Sequence, residues 1–230
     1  MKTLLVFIFF FISIVFCQSA DFRYDNYNEY ELRKSAIKIS HLSSLWLSDH
    51  ISIKQRENKR LIVKFGYSSY PKKINDLRWV LPDMNFGLRL SNNLFTSGRF
   101  FGFHLEKDSP QIAGLGIHYT FGEEGFWTVS FQRSAINGLS DFRLVSSSFS
   151  LEKYIGKSKF DFFIGIGSNT VINRSYYVSL FLPNKLEKNI KYASVKILYP
   201  FRKIKLGLGS RFSSDMLLIN IFISKGFKIL

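Results

Sequence analysis

Residues 111–121 read Gln111-Ile112-Ala113-Gly114-Leu115-Gly116-Ile117-His118-Tyr119-Thr120-Phe121. Successive side chains of an extended strand point to opposite sides. Ala113, Leu115, Ile117, Tyr119 and Phe121 therefore share one face, and Gly114, Gly116, His118 and Thr120 share the other. One face is apolar and aromatic; the other is small and polar.

The same period of two runs outward in both directions. Upstream, Met84, Phe86, Leu88 and Leu90 alternate with Asn85, Gly87, Arg89 and Ser91, and Phe101, Phe103 and Leu105 alternate with Gly102, His104 and Glu106. Downstream, Trp127, Val129 and Phe131 alternate with Thr128, Ser130 and Gln132. Phe160, Phe162, Ile164 and Ile166 alternate with Asp161, Phe163, Gly165 and Gly167. Ile204, Leu206 and Leu208 face away from Lys205, Gly207 and Gly209, and Ile219, Ile221 and Ile223 from Asn220, Phe222 and Ser224. Weaker segments are Asp141 to Tyr154, whose phase slips near Ser146 as at a bulge, Tyr176 to Leu182, and Ile190 to Tyr199. Turn-forming residues separate these runs: Asn92-Asn93, Asp108-Ser109-Pro110, Gly122 to Gly125, Asn137-Gly138, Ile155-Gly156-Lys157, Pro183-Asn184, Pro200 and Ser213-Ser214-Asp215. The expected architecture is all-β, an antiparallel meander.

The composition of the faces separates a soluble sheet from a membrane one. A soluble sandwich fills its solvated face with Lys, Glu and Thr. Here that face mixes Gly with small residues and a few charges, as a narrow enclosed lumen requires. The other face is nearly pure Phe, Leu, Ile and Val, which suits lipid. Aromatics make up 17% of the chain, with 25 Phe, and rings suit a membrane interface. Closure removes the strand edges that lipid cannot satisfy. The reading is a transmembrane β-barrel over residues 61–230. A secreted soluble β-sandwich or barrel is the alternative on the same alternation.

The N-terminus reads as a secretory signal. Lys2 precedes an apolar run from Leu4 to Phe16, too short to span a bilayer comfortably as a helix, and Cys17-Gln18-Ser19 offers a cleavage site after Ser19. Cleavage after Ala20, a lipoprotein at Cys17 and an uncleaved anchor are minority readings. Cys17 is the only cysteine, so the exported chain has neither disulfide nor thiol chemistry. Residues 20–60 form an N-terminal extension: a polar, tyrosine-rich arm from Asp21 to Tyr30, a short amphipathic helix or lead-in from Glu29 to Trp46, and a first strand over Leu45 to Lys54. The formal net charge is +15. In a soluble protein that would indicate a polyanion binder. No basic helix or run of like charge supports it, and no nucleic-acid partner is expected.

These features, from the signal to the terminal segment with Ile219, Ile221, Ile223 and Phe227, resemble small outer-membrane β-barrels of Gram-negative bacteria. The resemblance covers Leu61 to Leu230 and is one of pattern. It departs in running past the aromatic Phe227, through Lys225, to Leu230. It implies an even strand number, both termini in the periplasm, outer-membrane lipid and lipopolysaccharide as surroundings, and recognition of the last strand by the assembly machinery. Eleven segments from Leu61 onward, with Leu45 to Lys54 as a twelfth, give twelve strands, with ten next and eight third.

No phosphate loop, nucleophile elbow, His-Glu-x-x-His or calcium loop occurs. Arg89, His104, Glu106, His118, Asp161, Lys196, Lys205 and Arg211 are the candidate lumen-facing polar residues, with Arg89, Lys196, Lys205 and Arg211 able to pair with Glu106 and Asp161. Arg89, Lys191, Lys196, Lys205 and Arg211 would make a pore prefer anions; a cationic outer rim would instead hold lipopolysaccharide phosphates. His104, Glu106 and His118 could form a base with its carboxylate or a weak metal site, though a satisfied polar cluster is the ordinary explanation. His41-Leu42-Ser43 matches the His-x-Ser pair of some outer-membrane lipid hydrolases. No catalytic residue, metal or cofactor is assigned. The functional expectation is a structural or narrow-channel outer-membrane barrel, non-enzymatic and anion-preferring if it conducts. A lipid-modifying barrel enzyme and a soluble polyanion binder are the alternatives.

Overall fold

A computed structural model describes residues 19–24, 29–54, 59–123, 126–157, 159–176 and 182–228. The signal and anchor readings fall on residues 1–18, outside the described residues. Ten strands form one closed antiparallel barrel. They are β1 (Leu61–Ile74), β2 (Leu77–Arg89), β3 (Leu94–Gly102), β4 (Gln111–Phe121) and β5 (Trp127–Asn137), then β6 (Phe142–Lys157), β7 (Phe160–Ser175), β8 (Lys185–Phe201), β9 (Ile204–Phe212) and β10 (Leu217–Phe227). A helix, α1 (Glu29–Leu47), precedes them. No helix among the described residues is long and apolar enough to cross a membrane.

Each strand pairs with its sequence neighbours, and β1 closes on β10 from Leu61↔Phe227 to Ser69↔Ile219. The meander expected from the alternation is therefore the observed topology, with ten strands in place of twelve. Two segments account for the difference. β7 pairs directly with β8, from Asp161↔Leu198 to Arg174↔Lys185, which leaves no place for a strand over Tyr176 to Leu182; residues 177–181 of that segment lie outside the described residues. Leu45 to Lys54 is the end of α1 and an unpaired extended run, not a strand.

Local chemistry sets the connections. Asn75 and Asp76 both take positive φ, 52° and 59°, the conformation a two-residue hairpin needs between right-twisted strands. The slip expected near Ser146 is absent: β6 keeps unbroken register with β5 and β7. The irregularity lies in β1 instead, between Ser69 and Lys73, where Pro71 has no N–H to give the ladder. The turn expected at Ile155 to Lys157 falls one step later, since those residues are strand, and the turn expected at Pro200 forms at Arg202 and Lys203.

Two rims result. The basal rim carries both ends of the barrel chain, Leu61 and Phe227; the distal rim carries the Asn75–Asp76 hairpin. Large apolar side chains stand on the outside: Leu115 is 63% exposed, Ile166 64% and Ile221 62%. Water would disfavour so large an exposed apolar surface, while lipid would not.

The interior is filled by the chain's own N-terminal segment. Ser19 bridges to Val80 near the distal rim, α1 descends inside the wall, and residues 48–54 continue to the basal rim before β1 begins. Leu32, Ala36, Ile39, Leu42, Leu45, Trp46 and Leu47 are all buried in the main core cluster. The helix is buried all round in its second half, so its expected one-sided pattern does not hold there: Ser40, His41, Ser43 and Ser44 are as buried as its leucines. Of the arm, residues 21–24 are likewise packed inside, with Phe22 edge-on to Trp79 at 4.7 Å and Tyr24 stacked on Phe142 at 5.1 Å, while residues 25–28 lie outside the described residues.

Gly87 lets the wall approach this segment, because a Cβ there would collide with Cδ1 of Ile51. Gly87→Val should cost about 1–3 kcal/mol as overpacking. The check is the temperature at which the fast-migrating unboiled form in detergent electrophoresis converts to the slow form. It should fall, and an unchanged midpoint would refute the close approach.

Candidate functional site

The polar contents of the lumen begin with the end of α1. A helix leaves its last carbonyls without intrahelical partners, and its C-terminus favours cations. The last turn of α1 has no basic residue of its own. The wall supplies one. Arg99 of β3 donates to the carbonyls of Trp46 and Leu47 at 3.2 and 2.8 Å, and Gln132 of β5 donates to Leu47 at 2.9 Å. Higher up, Asn173 donates to the Tyr24 hydroxyl and to Ser40 Oγ, both at 2.6 Å, and Asn169 donates to the Ser44 carbonyl at 2.7 Å. Trp46 Nε1 donates to the carbonyl of Pro82 at 3.1 Å.

Just past the helix lies Asp49, fully buried. Its carboxylate receives Arg211 of β9 and Lys64 of β1, and accepts from Asn220 of β10 at 2.9 Å, while Lys196 Nζ of β8 stands 4.0 Å away. Asp83 of β2 accepts Arg99 at 2.6 Å and Asn85 at 2.8 Å, with Lys64 at 3.6 Å. Glu152 of β6 meets Lys196 at 2.8 Å and His50 Nε2 at 3.2 Å. His50 stacks on His118 of β4 at 5.6 Å, and the His118 ring nitrogens hydrogen-bond Ser130 at 2.7 Å and Ser97 at 2.8 Å. Nine of the ten strands contribute to this layer, and the tenth, β7, reaches the inserted segment above it through Asn169.

Such a layer is unfavourable unless satisfied. Each ion costs several kcal/mol to remove from water, and its partners must return that energy. Here Lys64, Arg99, Lys196 and Arg211 are set against Asp49, Asp83 and Glu152. All are nearly inaccessible to water, so no aqueous path runs along these side chains.

Among the sequence candidates, the structure places His118, Lys196 and Arg211 in this buried layer. Arg89, Asp161 and Lys205 lie lower, at the basal end of the lumen: Asp161 takes Lys54 at 3.0 Å, Lys205 at 3.4 Å and the Tyr154 hydroxyl at 2.8 Å, and Arg89 donates to the Lys54 carbonyl at 3.2 Å. His104 and Glu106 are not in the lumen. β3 ends at Gly102, and both are exposed on its connection to β4, His104 with its Nδ1 on Ser109 at 3.0 Å. The face assignment of that segment is thereby reversed: Phe101 and Phe103 turn inward against Trp46 at 6.2 and 6.1 Å. His104, Glu106 and His118 are thus not brought together, and the described residues include no grouping of three metal-ligating side chains. Lys191 is exposed on the outer face. His41 bonds Ser213 Oγ at 2.8 Å, while Ser43 is fully buried, away from any lipid.

Sequence reasoning missed Asp49, Lys64, Asp83, Arg99 and Glu152. Asp83 and Lys64 extend the polar faces of segments already recognised. Asp49 had a fainter signal, the polar Ser48-Asp49-His50 between apolar Leu47 and Ile51.

A scan against protein-family models finds no match, and a search of curated proteins finds none. Solved structures do match, all at low identity. The translocator domain of the autotransporter NalP from Neisseria meningitidis is 8% identical, with a TM-score of 0.40, covering 85% of this chain and 97% of that one. The KdgM porin is 10% identical, with a TM-score of 0.38 and coverage of 72% and 99%. Ail of Yersinia pestis is 10% identical, with a TM-score of 0.29 and coverage of 74% and 97%. The chain is thus similar to bacterial outer-membrane barrels, in kind of fold alone.

Removing one charge of a buried pair strands its partners, at about 3–5 kcal/mol. Asp49→Asn should lower the stability of the folded barrel by that order in urea titration. Combining it with Arg211→Met should cost less than the sum of the two single changes; strict additivity would show that the pair does not couple.

Proposed function

We propose that the chain is an outer-membrane barrel of structural or narrow-channel type, held shut by its own residues 19–24 and 29–54 and anion-preferring when it conducts. The observation that carries this is Asp49: a carboxylate of the inserted segment, buried against cations from β1, β8 and β9. The apolar exterior supports the membrane location over a soluble polyanion binder, which would leave Leu115, Ile166 and Ile221 in water. The outer face would meet outer-membrane lipid and lipopolysaccharide, and the assembly machinery would receive β10. Export by the N-terminal signal belongs to the same reading.

The anion preference follows from the division of charge between wall and insert. In the buried layer the wall contributes Lys64, Arg99, Lys196 and Arg211 against Asp83 and Glu152; Asp49 is part of the insert. With the insert seated, the cations are largely neutralised and water is excluded. With it displaced, the wall keeps a surplus of positive charge at this level, and a charged ring selects the opposite ion.

Planar-bilayer recording tests this. The intact protein should stay closed or open rarely. Asp49→Asn should raise the open probability, and reversal potentials across a salt gradient should then show anions passing in preference to cations. A steadily open intact barrel, or a cation-selective Asp49→Asn channel, would overturn the reading.

A further inference from the structure

The buried layer does not balance in charge. Among the described residues it sets four cations, Lys64, Arg99, Lys196 and Arg211, against three carboxylates, Asp49, Asp83 and Glu152, and each of the seven is at most 3% exposed. His50 and His118 beside them can add only positive charge. One positive charge is left over where water does not reach, and an uncompensated ion in such surroundings is strongly unfavourable.

The pairing shows where the surplus sits. Arg99 has Asp83 at 2.6 Å, and Lys196 has Glu152 at 2.8 Å. That leaves Lys64 and Arg211 on the one carboxylate of Asp49. Arg211 gives Nη2 to Asp49, and its Nε and Nη1 are buried without a hydrogen-bond partner among the described residues. The other unpartnered charged groups of the layer are better placed. Asp83 Oδ2 has Lys64 at 3.6 Å, Glu152 Oε1 has Lys196 at 2.8 Å, and the guanidinium of Arg99, whose Nε is orphaned, lies 5.7 and 6.0 Å from the Trp46 and Phe101 rings.

Two deficits therefore meet at Arg211: a missing negative charge and missing acceptors. Arginine does not shed its proton. A lysine that shed one would remove the surplus but give Arg211 no acceptor. A water would accept but carry no charge. A small anion does both.

We propose that the closed lumen binds one monovalent anion of the halide class against Arg211 Nε and Nη1, as the fourth negative charge of the layer. A dianion would overshoot the balance by one. The proposal rests on the reading of the lumen as filled by the inserted segment, and deepens its anion preference: the ion that completes the closed layer is of the class the open wall would select.

Crystals of the full chain, refolded into detergent in potassium bromide, should show a bromide anomalous peak at Arg211. A structure with α1 outside the lumen would overturn the filled-lumen reading and the anion site with it; α1 seated with no bromide at Arg211 overturns the anion site alone. The second measurement compares protein refolded in potassium chloride and, at equal ionic strength, in potassium gluconate, whose anion is too large for a packed layer. The temperature at which the unboiled fast-migrating form converts should be higher in chloride, saturably, by about 3–6 °C at ten times the dissociation constant. Arg211→Met leaves three cations on three carboxylates and should convert at the same temperature in both salts. If it gives no fast-migrating form, Lys64→Met removes the same surplus and is read in its place. Equal temperatures in the unmodified protein, as a neutral lysine with a water at Arg211 would give, or a chloride effect that survives the substitution, overturn the proposal.

Discussion

An unpaired carboxylate cannot remain ionised in a dry barrel, and Asp49 is fully buried there. Much of the interior is arranged around that constraint. Arg211, Lys64 and Asn220 come to it from three consecutive strands across the β1–β10 seam, and Lys196 stands behind them. The cations that neutralise Asp49 need further partners, since three of them share one carboxylate. Asp83 and Glu152 supply those and link β2 and β6 to the cluster. Pairing of this sort adds little net stability over an apolar filling. It fixes position instead, because a carboxylate displaced by one residue would leave both itself and its partners unsatisfied.

The helix above depends on the same anchoring. α1 has no basic residue in its last turn, and its final carbonyls would be orphaned inside the barrel without Arg99 and Gln132. The wall therefore caps a helix it does not belong to. Asn173 and Asn169 mark the same relation further up, each reaching from β7 to the inserted chain. The serines follow: small side chains let the helix lie close to a wall on every side, and Ser40 on α1 and Ser48 just past its end donate their hydroxyls to backbone carbonyls at 2.6 and 2.8 Å.

The sequence made the strands legible because the pleat forces a period of two, and Gln111 to Phe121 displays it without interruption. It did not say which face turns inward where both carry rings. Phe101 and Phe103 read as a lipid face, and only the position of Trp46 shows that they complete the core. The insert was hidden for a related reason. A helix enclosed by a polar lumen carries serine, histidine and leucine together, so the amphipathic stripe that identifies a surface helix is blurred beyond Ser40. His118, Lys196 and Arg211 were legible as polar positions on alternating strands, but Asp49, which Lys196 and Arg211 face, lay outside the alternating region, where only the short polar run Ser48-Asp49-His50 pointed at it.

The inserted segment precedes the barrel in the chain yet is gripped by its last strands. Asp49 and Arg211 are separated by 162 residues, and Asp49 and Asn220 by 171. Contacts of such long sequence separation form late and slowly, since the intervening loop must close before they contribute. β1 and β10, which carry Lys64 and Asn220, are also the strands whose pairing seals the cylinder. Sealing the seam and seating the carboxylate thus draw on the same two strands. A chain that zips shut with the segment outside would leave Lys64, Lys196 and Arg211 buried without Asp49, so the closed wall is complete as a set of charges only around its own inserted segment.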